Sequence, residues 1–179
     1  VSGFATPANV ATLVAAGVAL VDGSLARTKG TEGRYLTADA EHFLEDLTEL
    51  PCACPACSIP REEFSRADCA EHNVAVLEAE LRRVRERVRS GRLRDYVEGQ
   101  ARHDGWLTAT LREFDDQWAY LEERTPVLRS AELTAASAET LDRVEIRRFA
   151  DRGTSRYRNR FVDQPLALVP CPATKPDGS

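Results

Sequence analysis

The segment "PCACPACS", residues 51–58, places three cysteines within six positions and constrains this chain more than any other stretch. Cys69 and Cys171 bring the total to five, an odd number that does not suit a framework of paired disulfides. Thiols this close together point to a metal ion, a redox pair or a cluster of free thiols. Zinc takes four thiolate or imidazole ligands in a tetrahedron. Cys52, Cys54 and Cys57 form a C-x-C-x-x-C turn, stiffened by Pro51 and Pro55, that can aim three sulfurs at one point. Cys69, His72 and His103 are candidates for the fourth position. Cys69 and His72 stand three residues apart, so spacing hardly separates them, and His103 lies beyond a further helix. The residues therefore predict a structural zinc site rather than reactive thiols.

The surrounding chain reads as globular. Its 179 residues give room for one domain or parts of two, with 42% hydrophobic and 30% charged residues and a net charge of −5. That balance by itself points to neither nucleic acid nor membrane as partner. No apolar run approaches the roughly 20 residues of a membrane span, and no signal peptide is visible. Clustered unpaired thiols suit a reducing cytoplasm. The chain has no methionine and begins at Val1, so it reads as an internal piece of a longer protein.

Along the chain, "TPANVATLVAAG" predicts a helix capped at Thr6 and closed by Gly17. "VALVD" then reads as a short buried strand ending in Asp22, followed by a Gly-rich, basic loop, "GSLARTKGTEGRYLT". Helix, strand and loop in this order are the rhythm of a parallel α/β sheet or barrel. In a barrel, the C-terminal end of a strand faces the active site, which makes Asp22 a catalytic candidate; a turn aspartate before Gly23 is the plainer alternative. "TADAEHFLEDL" predicts a short helix, and "SIPREEFSRADCAEHN" a polar connection. From Asn73 to Ser90, apolar Val74, Leu77, Leu81, Val84 and Val88 recur at helical spacing, and Gly91 ends the run. Arginines recur from Arg82 to Arg94 between Glu78, Glu80 and Glu86; on spacing alone this is a solvated, ion-paired face. "LRDYVEGQAR" and "DGWLTATLREFDDQWAYLEERTPV" predict further helices, with Trp106 and Trp118 as core residues. A linker is expected near residue 130, then a short helix over "LDRVEIRRFADR", the basic "RYRNRF" and a strand breaking into a Cys-Pro loop at "PLALVPCPATKP".

The ordered set "GVALVDG", "GRYLT", "LPCACPAC", "EHN", "SGRLRDYVE" and "YLEERTPV" resembles the archaeal tRNA-guanine transglycosylase superfamily over nearly the whole chain. That resemblance implies an α/β chain: the C-terminal part of a (β/α)8 barrel with an inserted zinc site, then a helical segment and the start of an α+β domain. The implied boundaries are 1–50 for the last βα units, 51–72 for the zinc motif, 73–129 for the helical end and 130–179 for the linker and next domain. In the family an aspartate on a late strand precedes the cysteines by about thirty residues, as Asp22 precedes Cys52 here. The family's fourth ligand is the histidine of an "HN" pair, which implies His72 rather than Cys69.

In the transglycosylases the matching aspartate attacks the ribose C1′ of a tRNA guanosine. A second branch, the archaeosine synthases, converts a nitrile on the base already in tRNA towards an amidine. "LVDGSLARTKGTEGRY" lacks the transglycosylase "FDS" pattern, and "VPCPATKP" resembles the opening of a synthase motif. The resemblance therefore implies the synthase branch, with Cys171 and Lys175 as active-site candidates. It also raises Arg82, Arg85, Arg89, Arg156 and Arg158 to tRNA-backbone contacts. The implied partners are tRNA and either a second copy of the chain or another enzyme of the archaeosine pathway, not DNA or a membrane. A transglycosylase using Asp22, and a non-catalytic tRNA-binding subunit, are the alternatives.

Overall fold

The structure is a computed structural model that describes residues 2–129, 131–135, 137–153 and 155. It divides into two compact units, the first ending at Leu111 and the second beginning at Arg112.

The first unit is built on one long helix. After a turn at Thr6–Asn9, α1 (Val10–Ala15) buries Val10 and Ala11 and closes at Gly17, whose φ of 91° lets Val18 N–H reach the Leu13 carbonyl. Residues 18–22, expected as a buried strand, join no ladder among the described residues, and Leu20 is 79% exposed. A parallel strand needs a neighbour to satisfy its backbone, and the ladder described here joins only β1 (Arg34–Leu36) and β2 (Glu41–Phe43).

The stretch expected as a Gly-rich loop is instead α2 (Ser24–Thr31). Its Gly30 serves close approach rather than flexibility. A Cβ there would lie 2.3 Å from the Ala70 Cα and 2.5 Å from the Ala70 nitrogen, on the next helix. Gly30→Ala must push backbone against backbone, with an expected loss of about 3 kcal/mol, read as a fall in thermal midpoint.

β1 and β2 pair antiparallel in the register Arg34↔Phe43, Tyr35↔His42, Leu36↔Glu41. The turn is closed by Thr37 N–H to the Ala40 carbonyl at 2.9 Å and by Ala40 N–H to Thr37 Oγ1 at 3.0 Å. This hairpin replaces most of the helix expected over residues 37–47, of which a single turn at Leu44–Asp46 survives. Local helix propensity loses to a long-range latch. The buried Asn73 side chain accepts Leu36 N–H at 2.9 Å and donates to the carbonyls of Arg34 at 2.8 Å and Ala26 at 3.0 Å.

α3 (Arg66–Arg89) starts seven residues earlier than its apolar periodicity indicated. Ser65 caps it: its hydroxyl accepts Asp68 N–H while the Asp68 carboxylate accepts Ser65 N–H at 2.8 Å, a reciprocal capping box. Twenty-four residues make a rod of about 36 Å. Leu77 and Val84 face the core, but Val88 is 50% exposed. At the far end Gly91, with φ of 67°, turns the chain into α4 (Leu93–Ala101). α4 is held to α3 by the buried Glu80 carboxylate, which accepts the Tyr96 hydroxyl and Arg83 Nη1. α5 (Gly105–Asp115) adds Leu107 and Leu111 to the apolar core with Val10, Ala26, Leu36 and Val97. Trp106, expected in the core, is 56% exposed, because a step of one residue, about 100° round α5, separates it from buried Leu107.

The second unit contains α6 (Trp118–Arg124), a single turn at Ala138–Asp142 and α7 (Val144–Arg148). Arg148 donates to the open carbonyls at the end of α6, Glu122 at 2.8 Å and Thr125 at 3.0 Å. Among the described residues, no helix is long and apolar enough to cross a membrane.

Candidate metal centre

Three of the clustered residues sit on a tight turn. Pro55–Cys57 forms one 3-10 turn, with Cys57 N–H donating to the Cys54 carbonyl at 2.9 Å. Proline at the first position pre-sets the backbone, so Cys54 and Cys57 project to the same side. The fourth residue comes from α3. His72 is fully buried, and its Nε2 lies 2.9 Å from the Leu36 carbonyl on β1. A carbonyl only accepts, so Nε2 carries the hydrogen and Nδ1 presents its lone pair. Nδ1 lies 3.4 Å from Cys54 Sγ and 3.3 Å from Cys57 Sγ.

The donor atoms of Cys52, Cys54, Cys57 and His72 all lie within 4.8 Å of one another. Sulfur and nitrogen bound tetrahedrally at about 2.3 and 2.0 Å would sit about 3.5 Å apart. The spacings found at His72 are close to that value, so the donor set fits a tetrahedral ion. Of the three candidates for the fourth position, His72 joins the cysteines. The Cys69 thiol is turned to the Arg34 carbonyl at 3.5 Å, and His103 lies past α4 on the exposed surface.

The electrostatics favour a bound cation. Burial pushes the Cys57 thiol up to about 12, the neighbouring Cys54 and Cys52 add to it, and a hydrogen bond with Tyr35 opposes them. Metal ligation requires the thiolate, so a bound cation would take the place of the Cys57 proton. Burial also lowers the pKa of His72, keeping the imidazole neutral and able to coordinate. Cys69 is raised to about 11 by burial and behaves as an apolar core residue.

Tyr35 is a residue of this group that spacing did not single out. It is fully buried on β1, its ring stacks on His72 with centroids 3.8 Å apart and planes 14° off parallel, and its hydroxyl lies 3.4 Å from Cys57 Sγ. It touches two members of the group at once. A small apolar cluster of Leu44, Phe64 and Ile59 closes round it. The sequence signal available was a tyrosine in a strand opposite the cysteine turn, which identifies it only once the hairpin register is known.

Asp22 does not enter this group. It precedes α2, where Oδ1 accepts Ser24 N–H at 2.9 Å and Gly3 N–H at 3.3 Å, together with the Ser24 hydroxyl. Hydrogen bonds from Ser2, Ser24 and Gly3 hold its carboxyl far below the usual range. Arg82, Arg85 and Arg89 all lie on the exposed face of α3; Arg82 meets Glu78 at 3.6 Å and Arg89 pairs with Glu86. Arg156, Arg158, Cys171 and Lys175 lie outside the described residues.

Residues 1–104 match the family model for queuine tRNA-ribosyltransferase. The chain belongs to the queuine tRNA-ribosyltransferase family. Within it, the chain is 67% identical over 175 residues to the archaeosine synthase of Haloferax volcanii, covering 98% of this chain and 30% of that protein. It is 42% identical over 181 residues to the archaeosine synthase subunit alpha of Methanosarcina acetivorans, covering 97% of this chain and 29% of that one. A family member of the other kind, the tRNA-guanine(15) transglycosylase of Pyrococcus abyssi, is 31% identical over 170 residues, covering 90% of this chain and 29% of its own length. The chain thus spans about three-tenths of the length of these relatives.

Proposed function

We propose that this chain is the zinc-bearing part of a cytoplasmic archaeosine synthase, acting on the nitrile-bearing 7-deazaguanine at position 15 of tRNA. The observation that carries this reading is the gap between 67% identity to an archaeosine synthase and 31% to a tRNA-guanine(15) transglycosylase over a similar span. On this reading residues 1–50 derive from the end of a (β/α)8 barrel, 51–72 supply the metal motif, 73–129 the helical end, and 130–179 lead into a further domain. Cys52, Cys54, Cys57 and His72 hold zinc. With all four positions taken by protein, the ion braces the turn against α3 and leaves no open position for chemistry. Arg82, Arg85, Arg89, Arg156 and Arg158 contact the tRNA backbone. Cys171 and Lys175 are the proposed reactive side chains: a nitrile carbon accepts a nucleophile, and addition of an amine N–H across the triple bond gives an amidine without any redox step. The relative named as a subunit alpha favours a partner enzyme alongside tRNA.

The transglycosylase reading would make Asp22 a glycosidic nucleophile. Its Oδ1 already accepts from Ser24 and Gly3, which favours a positioning role at the start of α2. The deciding experiment incubates the full-length protein with tRNA carrying the nitrile base and follows the nucleoside by mass spectrometry. Conversion of the nitrile that is lost in Lys175→Ala or Cys171→Ala and retained in Asp22→Ala supports the synthase. A covalent RNA adduct that vanishes in Asp22→Ala overturns it in favour of base exchange, and a protein that binds tRNA while doing neither is a binding subunit.

Zinc also gives Tyr35 a measurable part. Tyr35→Phe keeps the stacked ring but removes the hydroxyl at Cys57, and such outer contacts are worth about 10–100-fold in metal affinity. A tenfold weakening is expected in chelator competition, with little change in fold.

A further inference from the structure

A cavity of about 490 Å³ lies between the Gly33–Arg34 corner, the Phe43–Glu45 stretch and the start of α3. Three arginines line it, Arg34, Arg61 and Arg66, against two glutamates, Glu32 and Glu45. Their guanidinium groups are differently committed. Arg34 lies over the Phe43 ring at 3.8 Å from its centroid and meets Glu41 only at 3.7 Å. Arg61 spends Nε on the Leu47 carbonyl at 3.1 Å and Nη2 on the Leu44 carbonyl. Those carbonyls fix its position and carry no full charge to cancel it. Arg66 has no hydrogen-bonding or ionic partner among the described residues. Its guanidinium rests on Gly33, where φ is 77° and a Cβ would lie 3.3 Å from Arg66 Nε.

An unpaired guanidinium beside two positioned ones, on the same wall as the opening turn of α3, suits an anion. Asp68 does not fill that role, because its carboxylate is held by the Ser65 amide and hydroxyl. Phe43, 46% exposed beside the arginines, offers a stacking surface next to the anion. Guanidinium groups with an adjacent aromatic ring match a nucleotide in a flexible strand, with phosphate on the arginines and base against the ring.

We propose that the Arg34–Arg61–Arg66 cavity binds a phosphate of the RNA backbone. This rests on the tRNA-modifying reading above and adds a contact point separate from the outer arginines of α3. The test uses the full-length protein, a tRNA transcript and Arg66→Gln, with affinity measured across a KCl series. Because Arg66 makes no hydrogen bond or ion pair among the described residues, and glutamine keeps part of its packing on Gly33, Arg66→Gln should leave thermal midpoint and metal content unchanged. It should weaken tRNA binding about fivefold and reduce the slope of log K against log salt by about 1, and Arg66→Lys should restore the slope. Affinity within twofold of wild type with an unchanged slope overturns the proposal. So does Arg66-dependent binding of inorganic phosphate, followed by phosphorus NMR, with tRNA affinity untouched, which would mark a free-phosphate site. A wild-type protein that binds no tRNA sinks the functional reading alone. An octauridylate titration then decides the cavity: Arg66-dependent binding supports it and none overturns it.

Discussion

If Cys52, Cys54, Cys57 and His72 hold zinc as proposed, replacing His72 by alanine in the full-length protein is expected to release it and unfold the region around it. The other three donors sit on a nine-residue turn with little regular structure of its own, Pro51 to Ile59, and His72 is the link from that turn to α3. Removing it costs more than the 10–100-fold that an outer partner is worth, and it also opens a cavity under the Tyr35 ring. Metal analysis should show less than stoichiometric zinc, and proteolysis should cut between residues 44 and 64. Cys69→Ser is the control, since that thiol faces the Arg34 carbonyl and not the group; it should keep its zinc. If Cys69→Ser loses zinc while His72→Ala keeps it, the ligand assignment is wrong.

The acid behaviour has a definite sign. Burial lowers the His72 pKa below the ordinary value of about 6.5. Below that pH the unfolded chain takes up a proton that the folded metal-free protein refuses, so stability is lost as pH falls through and below about 6.5. Zinc binding responds in the same direction, because protons compete for its ligands. Denaturant titrations of metal-free protein between pH 8 and 5.5 should show this loss, and His72→Ala should lack it.

Asn73→Ala is expected to be as damaging without touching the metal ligands. Its amide satisfies the Leu36 N–H and the Arg34 and Ala26 carbonyls, and it is fully buried. Truncation removes all three hydrogen bonds and leaves the buried Leu36 N–H without its acceptor, while the Arg34 carbonyl keeps only the weak Cys69 thiol; an unmet buried group costs roughly 1–3 kcal/mol. The expected loss is about 4 kcal/mol, enough to unfold a marginal domain. Asn73→Asp should be as bad or worse, because it sets a carboxylate beside two carbonyl oxygens. Measured by denaturant midpoint, a change under 1 kcal/mol in Asn73→Ala would show that water or a shifted side chain replaces the latch.

The sequence errors fall where distant residues overrule local preference. α2 was read as a loop because of its glycines, yet Gly30 is there to let Ala70 pass. "TADAEHFLEDL" has the composition of a helix and forms a hairpin because Asn73, more than thirty residues on, bonds its first strand. The early start of α3 is written in the sequence, where "SRAD" is a capping box. Asp22 stands at the head of a helix rather than the end of a paired strand, because among the described residues no strand lies beside 18–22 to form a ladder.

By itself the sequence determined what depends on neighbours along the chain. Proline and cysteine spacing within eight residues brings three sulfurs to one side of a turn, glycines at 17 and 91 end helices, and the ordered motifs disclose the family. Spacing leaves Cys69 and His72 level, the family resemblance points to His72, and the tertiary structure supplies the physical reason that His72 meets those sulfurs. The two differ by three positions, less than one turn of α3, and that rotation turns one towards the Arg34 carbonyl and the other towards Cys54 and Cys57. It also decided that Tyr35 covers the site, since only the pairing of β1 on α3 sets a ring over His72.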